Sequence, residues 1–252
     1  MKNPFRPGSR LVNNPAKAGE KSEITSADSS RDVQAFLDKV KSIPATAGDA
    51  RLVFALDATA SRQATWDVAS KLQASMFQSA QALGGLNLQL CYFRGFAEFY
   101  SSAWQADPDQ LLGLMSRIHC EAGATQLERV LRHALKENRS VRLKGVVFIG
   151  DAVEESFDSL ADLAGKLGLM NVPLFMFQER NDPHVQQVFR HLANVSGGAY
   201  AQFDAGSADQ LRELLRAVAV YAAGGLKALS DLGGSSGGAA RLLEHQLKAR
   251  SR

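Results

Sequence analysis

Leu52-Val53-Phe54-Ala55-Leu56-Asp57-Ala58-Thr59-Ala60-Ser61 is the stretch on which the reading of this chain turns. A short apolar run from Leu52 to Leu56, ended by an aspartate, predicts a strand. Trp66, Ala69, Leu72, Met76, Ala80 and Leu83 then recur at helical spacing until Gly84-Gly85, so the strand is followed by a helix.

The same alternation continues outward. Leu86 to Phe93 and Phe96 to Tyr100 read as strands joined through Arg94-Gly95, a glycine-containing connection that suits a hairpin, and hence an antiparallel edge. Helices are expected at about Asp109 to Ile118 and Thr125 to Asn138. Gly145 to Ile149, apolar throughout, reads as a strand buried on both faces, as in the middle of a parallel sheet, and like the first strand it leads to an aspartate, Asp151. Helix Phe157 to Leu167, strand Val172 to Phe177, helix Val185 to Val195, strand Ala199 to Phe203 and helix Leu211 to Tyr221 complete the series. Such alternation implies right-handed crossovers, and therefore an α/β, three-layer, doubly wound, mostly parallel sheet with one antiparallel edge strand.

Around this core, residues 1–30 lack hydrophobic periodicity and read as a flexible tail, and residues 31–43 as one amphipathic helix ended by Pro44. The domain is placed at 44–223. Six glycines among Gly224 to Gly238 predict a linker over 224–238, and 239–252 reads as a basic amphipathic C-terminal segment.

Composition narrows the function. The 252 residues carry 29 Lys and Arg against 26 Asp and Glu, a formal charge of +3, which gives no support for a nucleic-acid coat. No apolar run reaches the roughly 20 residues of a membrane helix, and the polar start leads into no signal-peptide core, so the cytoplasm is the expected compartment. Cys91 and Cys120 lack a CxxC spacing and are expected as reduced thiols. The charge is uneven: residues 1–43 carry 8 basic against 5 acidic residues, 44–223 carry 16 against 19, and 224–252 carry 5 against 2. A mildly acidic domain is thus flanked by mildly basic ends.

Ligands of open doubly wound sheets bind beyond the carboxyl ends of the strands. There the sequence puts Asp57, Thr59 and Ser61 at alternate positions, Gly150-Asp151 after the later buried strand, and Gly123-Ala124-Thr125 ahead of a helix. Two carboxylates and three hydroxyls, without thiolate or imidazole, suit a hard cation such as Mg²⁺ and disfavour zinc. Taken singly, Thr125 or Asp151 also fits a helix N-cap.

Asp57-Ala-Thr59-Ala-Ser61, Thr125 and Asp151, in that order, resemble the DxSxS, Thr and Asp elements of the von Willebrand factor A domain family, over roughly Arg51 to Tyr221. The resemblance implies a Rossmann-like fold and a metal-ion-dependent adhesion site holding Mg²⁺ or Mn²⁺. Thr59, Ser61 and Thr125 would be direct ligands, Asp57 and Asp151 would act through waters, and an Asp or Glu of a partner protein would supply the missing ligand. Thr59 stands where the family usually has serine; the hydroxyl is kept. The chain is accordingly expected to be a divalent-metal-dependent protein-binding module of an intracellular assembly, not an enzyme.

Two other readings fit parts of the sequence. Asp57-x-Thr59 with a later Gly-Asp superficially resembles haloacid-dehalogenase-like phosphohydrolases, in which Asp57 would be the nucleophile. That scheme needs a lysine on a separate element, whereas Lys144 begins the strand that delivers Asp151, about 23 Å away at 3.3 Å per residue. The other rival is a metal-free scaffold acting through its terminal helices. Glu154 and Glu155 read as a solvated first helical turn, and His184 and His191 as cap or surface residues. No GxGxxG or GxxxxGK[ST] occurs, which argues against nucleotide binding.

Overall fold

The computed structural model describes residues 50–63, 86–203, 208–235 and 243–247. The expected N-terminal tail, the helix of 31–43 and the helix across Trp66 to Leu83 lie outside the described residues. A six-stranded sheet is built from β1 (Ala50–Asp57), β2 (Leu86–Arg94), β3 (Glu98–Ser101), β4 (Leu143–Gly150), β5 (Leu174–Glu179) and β6 (Ala199–Phe203), in the order β3-β2-β1-β4-β5-β6. All neighbours run parallel except β2 and β3. The helices are α1 (Pro108–Met115), α2 (Leu127–Ser140), α3 (Phe157–Leu169), α4 (Pro183–Ser196) and α5 (Ala208–Ser235).

The run that opened the sequence reading shows why the sheet is covered twice. Leu52, Phe54 and Leu56 enter one core layer with Leu111 and Met115 of α1 and Leu215 and Val218 of α5. Val53 and Ala55 enter the other, with Leu131 of α2, Leu163 of α3 and Phe189 of α4. Successive strand side chains point to opposite faces, so a continuous apolar run is what a central strand between two helical layers requires.

Two local expectations are corrected. The hairpin connection is the three residues Gly95 to Ala97, because Arg94 pairs directly with Glu98; Gly95 supplies the left-handed conformation, at φ 56°. The expected linker of 224–238 is helical as far as Ser235. Gly225, with φ 70° and ψ −164°, is a non-helical kink that divides α5 into two helical segments, and Leu229 in the second of them is fully buried in the core.

Residues 243–247 form a last helical turn. Leu243 and Leu247 are buried in the same core layer as α5. From this turn Gln246 accepts from the Tyr200 N–H at 2.7 Å and donates to the Tyr200 carbonyl at 2.9 Å, engaging the backbone of the outermost strand β6. Among the described residues no helix is long and apolar enough to cross a membrane, and both cysteines are free.

Candidate metal centre at the switch of strand order

The chain leaves β1 for β2 on one side and later returns to place β4 on the other, so the order of winding reverses between β1 and β4. Asp57 ends β1 and Asp151 follows β4, which brings both aspartates to this switch. Beyond Asp57 the chain makes a single turn of 3-10 helix over Ala60–Arg62, which turns the alternate hydroxyls back over the rim.

Four of the five expected residues form one chain of bonds. Asp57 Oδ1 accepts from the Thr59 N–H at 2.8 Å, Thr59 Oγ1 lies 3.1 Å from Ser61 Oγ, and Ser61 Oγ donates to Asp151 Oδ1 at 3.0 Å. Asp57 is fully buried, and its second oxygen, Oδ2, has no partner. Burial pushes the Asp57 carboxyl up from 3.8 to about 6, against the hydrogen bonds of Thr59 and the charge of Arg62, while the nearby charge of Asp151 pushes it further up.

Thr125 reaches the same rim by a different network. Its hydroxyl donates to Glu155 at 2.6 Å and accepts from the Glu154 N–H at 2.9 Å, and its own N–H donates to Glu154 at 3.0 Å. Glu154 and Glu155 therefore belong to the site's architecture instead of forming a merely solvated turn; Glu155 also accepts from the Glu128 N–H at 3.1 Å, in the first turn of α2. No bond joins Thr125 to the other four residues. The loop before it is pinned to β1 and the hairpin: the Glu121 backbone N–H donates to the Ala58 carbonyl at 3.0 Å, and the Arg94 guanidinium donates to the His119 carbonyl at 3.1 Å.

Gly123 permits this crossing. A Cβ there would stand 1.9 Å from the Gly95 carbonyl oxygen and 2.1 Å from its carbon. Gly123→Ala is expected to displace the hairpin turn or the Thr125 loop, lowering stability by about 1–3 kcal/mol and weakening Mn²⁺ binding severalfold. Denaturant titration and calorimetry of the variant check both effects.

Beneath the loop lies a fully buried ion pair absent from the sequence expectations. Arg62 Nε donates to Glu179 at 2.7 Å, and Arg62 Nη1 donates to the Asp57 carbonyl at 2.6 Å. The next residue, Arg180, points its guanidinium at the rim, where Nη1 lies 3.1 Å from Asp151 Oδ2 and Nη2 donates to the Ser61 carbonyl. A signal for both was available: β5 is parallel to β1 and β4, so the polar Glu179-Arg180 at its carboxyl end had to emerge at the same rim.

Other candidates fall into structural roles. Lys144 is exposed near the start of β4, the end opposite the rim. The His184 N–H donates to the Asp182 cap of α4, and the His191 ring lies 4.8 Å from that of Phe157. Cys120 is half-buried, and burial above all raises its thiol to about 11, unlike an activated nucleophile.

The donor set fits a hard divalent cation. It presents oxygen only, includes a buried carboxylate oxygen without a partner, and holds two adjacent hydroxyls. Among the described residues no group of three or more His, Cys, Asp or Glu is placed to hold a metal, so a cation here would rely on hydroxyls.

No protein-family model and no curated protein matches the sequence. Solved structures do resemble it. A von Willebrand factor type A protein from Catenulispora acidiphila matches 69% of this chain and 44% of its own at 16% identity, with a TM-score of 0.55. The SpRpn10 VWA domain matches 64% of this chain and 94% of its own at 11% identity and a TM-score of 0.53. Proximal thread matrix protein 1 from the mussel byssus, with a zinc-occupied MIDAS motif, matches 70% of this chain and 46% of its own at 15% identity and a TM-score of 0.55. This chain thus spans less than half the length of two of the three. At such identities the likeness speaks for the fold, and it agrees with the strand order and three layers described above: the chain has the fold of von Willebrand factor type A domains.

Proposed function

We propose that the chain is a protein-binding module whose contact depends on a divalent cation held at the β1–β4 switch. The observation that carries this reading is the buried Asp57 carboxylate, with one oxygen unpartnered, bonded through Thr59 and Ser61 to Asp151. Thr59, Ser61 and Thr125 would contact the ion directly, and Asp57 and Asp151 would hold its waters. With hydroxyls as direct ligands, Mg²⁺ or Mn²⁺ keeps much of its positive charge and attracts an Asp or Glu side chain from a partner protein. The zinc-occupied MIDAS motif of the mussel protein supports a divalent ion on this fold.

A binding role suits the geometry better than hydrolysis. Asp57 is fully buried and one of its oxygens is bonded to the loop backbone, a poor arrangement for attack on an outside phosphorus. Calorimetric titration is expected to show Mg²⁺ or Mn²⁺ binding that Asp57→Ala and Asp151→Ala each reduce at least a hundredfold. A pull-down with Mg²⁺ and with chelator, for wild type and Asp57→Ala, would then isolate the partner. Absence of binding in the wild type, or binding unchanged in both variants, refutes the reading.

A further inference from the structure

Both carboxylate oxygens of Asp151 are engaged at the rim. One of its oxygens accepts from Ser61 and the other faces Arg180, while Asp57 Oδ2, close by, has no partner. The Arg180 guanidinium grips the loop at two points, the Asp151 carboxylate and the Ser61 carbonyl. It is therefore a cation already lodged among the residues proposed to hold a cation.

Its placement is built into the backbone. Arg180 sits in the left-handed region at φ 66°, unusual for a residue with a long side chain, and its carbonyl accepts from Gln202 of β6 at 2.8 Å. With the main chain so held, the side chain springs from a fixed point. About half of that side chain is exposed, so the head can leave the rim by rotation of the side chain alone.

We propose that Arg180 is an internal competitor for the metal: its guanidinium and a divalent ion exclude one another at Asp151. The inference rests on the metal-binding reading above and adds its regulation. A positive charge beside the site repels the incoming ion and ties up the carboxylate that would hold the ion's waters. When the ion is scarce, the guanidinium keeps the acidic rim compensated. When it is abundant, the ion takes the rim and turns Arg180 toward solvent, so exposure of the ion to a partner's carboxylate follows the free metal concentration. Because the Arg180 side chain is half-exposed while Asp151 is buried, solvent screens only one side of the pair and the competition stays modest; loss of Arg180 is expected to tighten metal binding about tenfold.

The test is a calorimetric MnCl₂ titration of the full chain. Arg180→Gly and Arg180→Asn both remove the charge and both tolerate a positive φ, so the loop is spared. Arg180→Lys keeps the charge without the two-point grip. Arg190→Ala serves as a control, since that guanidinium lies over the Tyr200 ring, 4.8 Å from its centre. Thermal melts with chelator verify folding. The expected result is a dissociation constant about tenfold lower in the Gly and Asn variants, an intermediate value for Lys, and no change for Arg190→Ala. Equal or weaker binding in both the Gly and Asn variants, with wild-type binding still abolished by Asp57→Ala, overturns the role of Arg180 and leaves the metal site standing. No binding in any variant overturns both.

Discussion

Glu179→Ala should lower the unfolding free energy by about 3–5 kcal/mol, the cost of breaking a buried ion pair by removing one of its members. Arg62 is fully buried and Glu179 nearly so, and alanine would take away the carboxylate held at 2.7 Å from Arg62 Nε. The damage should not stop at stability. The same guanidinium holds the Asp57 carbonyl at 2.6 Å, so a displaced Arg62 releases the strand end from which the candidate site is built. Urea unfolding measures the first effect, and an Mn²⁺ titration at a temperature where the variant is still folded measures the second. Glu179→Gln keeps an acceptor and should cost less. Replacing the pair together, by Arg62→Met with Glu179→Leu, should recover most of the stability, since an apolar pair of similar volume meets no desolvation penalty, yet it should not restore metal affinity, because nothing would then hold the Asp57 carbonyl. A loss below about 1 kcal/mol in Glu179→Ala would contradict this account.

Asp57→Asn should have opposite effects on stability in the absence and presence of metal. With chelator, the wild type must keep an ionised carboxylate in a buried place. Its carboxyl is raised from the ordinary 3.8 to about 6 in the fold, so between those values the folded state binds the proton that the unfolded state has lost. Stability therefore falls as pH rises from about 4 to about 6, and the full penalty applies above that range. A shift of that size corresponds to about 3 kcal/mol. The asparagine variant carries no such titration, so above pH 7 it should be the more stable protein by up to that amount, and the gap should close toward pH 4. With millimolar Mg²⁺ or Mn²⁺ the order should reverse, because only the wild type gains the stabilisation that accompanies a ligand bound to the folded state alone. Denaturant melts of both proteins from pH 4 to 8, with and without metal, give all four comparisons. A constant gap across pH in chelator would show that burial does not raise the Asp57 carboxyl.

The legible and illegible parts of the chain differ for a physical reason. Gly145 to Ile149 could be read as a central strand because burial on both faces demands an unbroken apolar run, and the layers that receive Val146 and Val147 bear this out. The rim position of Asp57 and Asp151 follows from the same logic, since parallel strands end on one side. Thr125 was legible as a rim residue, but its partners Glu154 and Glu155 lie 29 and 30 residues away, and only the fold reveals which loops meet. Glu179 and Arg180 lie beyond the strand expected to end at Phe177, and nothing local shows that one side chain turns to Arg62 while the next turns to Asp151. The glycines of 224–238 misled because composition suggests flexibility, whereas the backbone is helical on both sides of Gly225 as far as Ser235, and Leu229 is fully buried in the core.

Gln246 has a consequence for how this sheet meets other chains. A parallel sheet has two outer strands, each a row of main-chain groups open to a further strand. On one side β3 is only four residues long and begins with Glu98, which pairs with Arg94 at 2.9 Å. On the other, the Gln246 amide offers Tyr200 one acceptor and one donor, as the main chain of a neighbouring strand would. A side chain is thereby made to imitate a strand, and the imitation ends after one residue. The sheet is stopped at six strands, and Leu243 and Leu247, buried in the core on either side of that glutamine, hold the stopper in place. A chain that joined the sheet along β6 would have to lift this turn first, so growth by strand addition is opposed by the same apolar contacts that complete the domain.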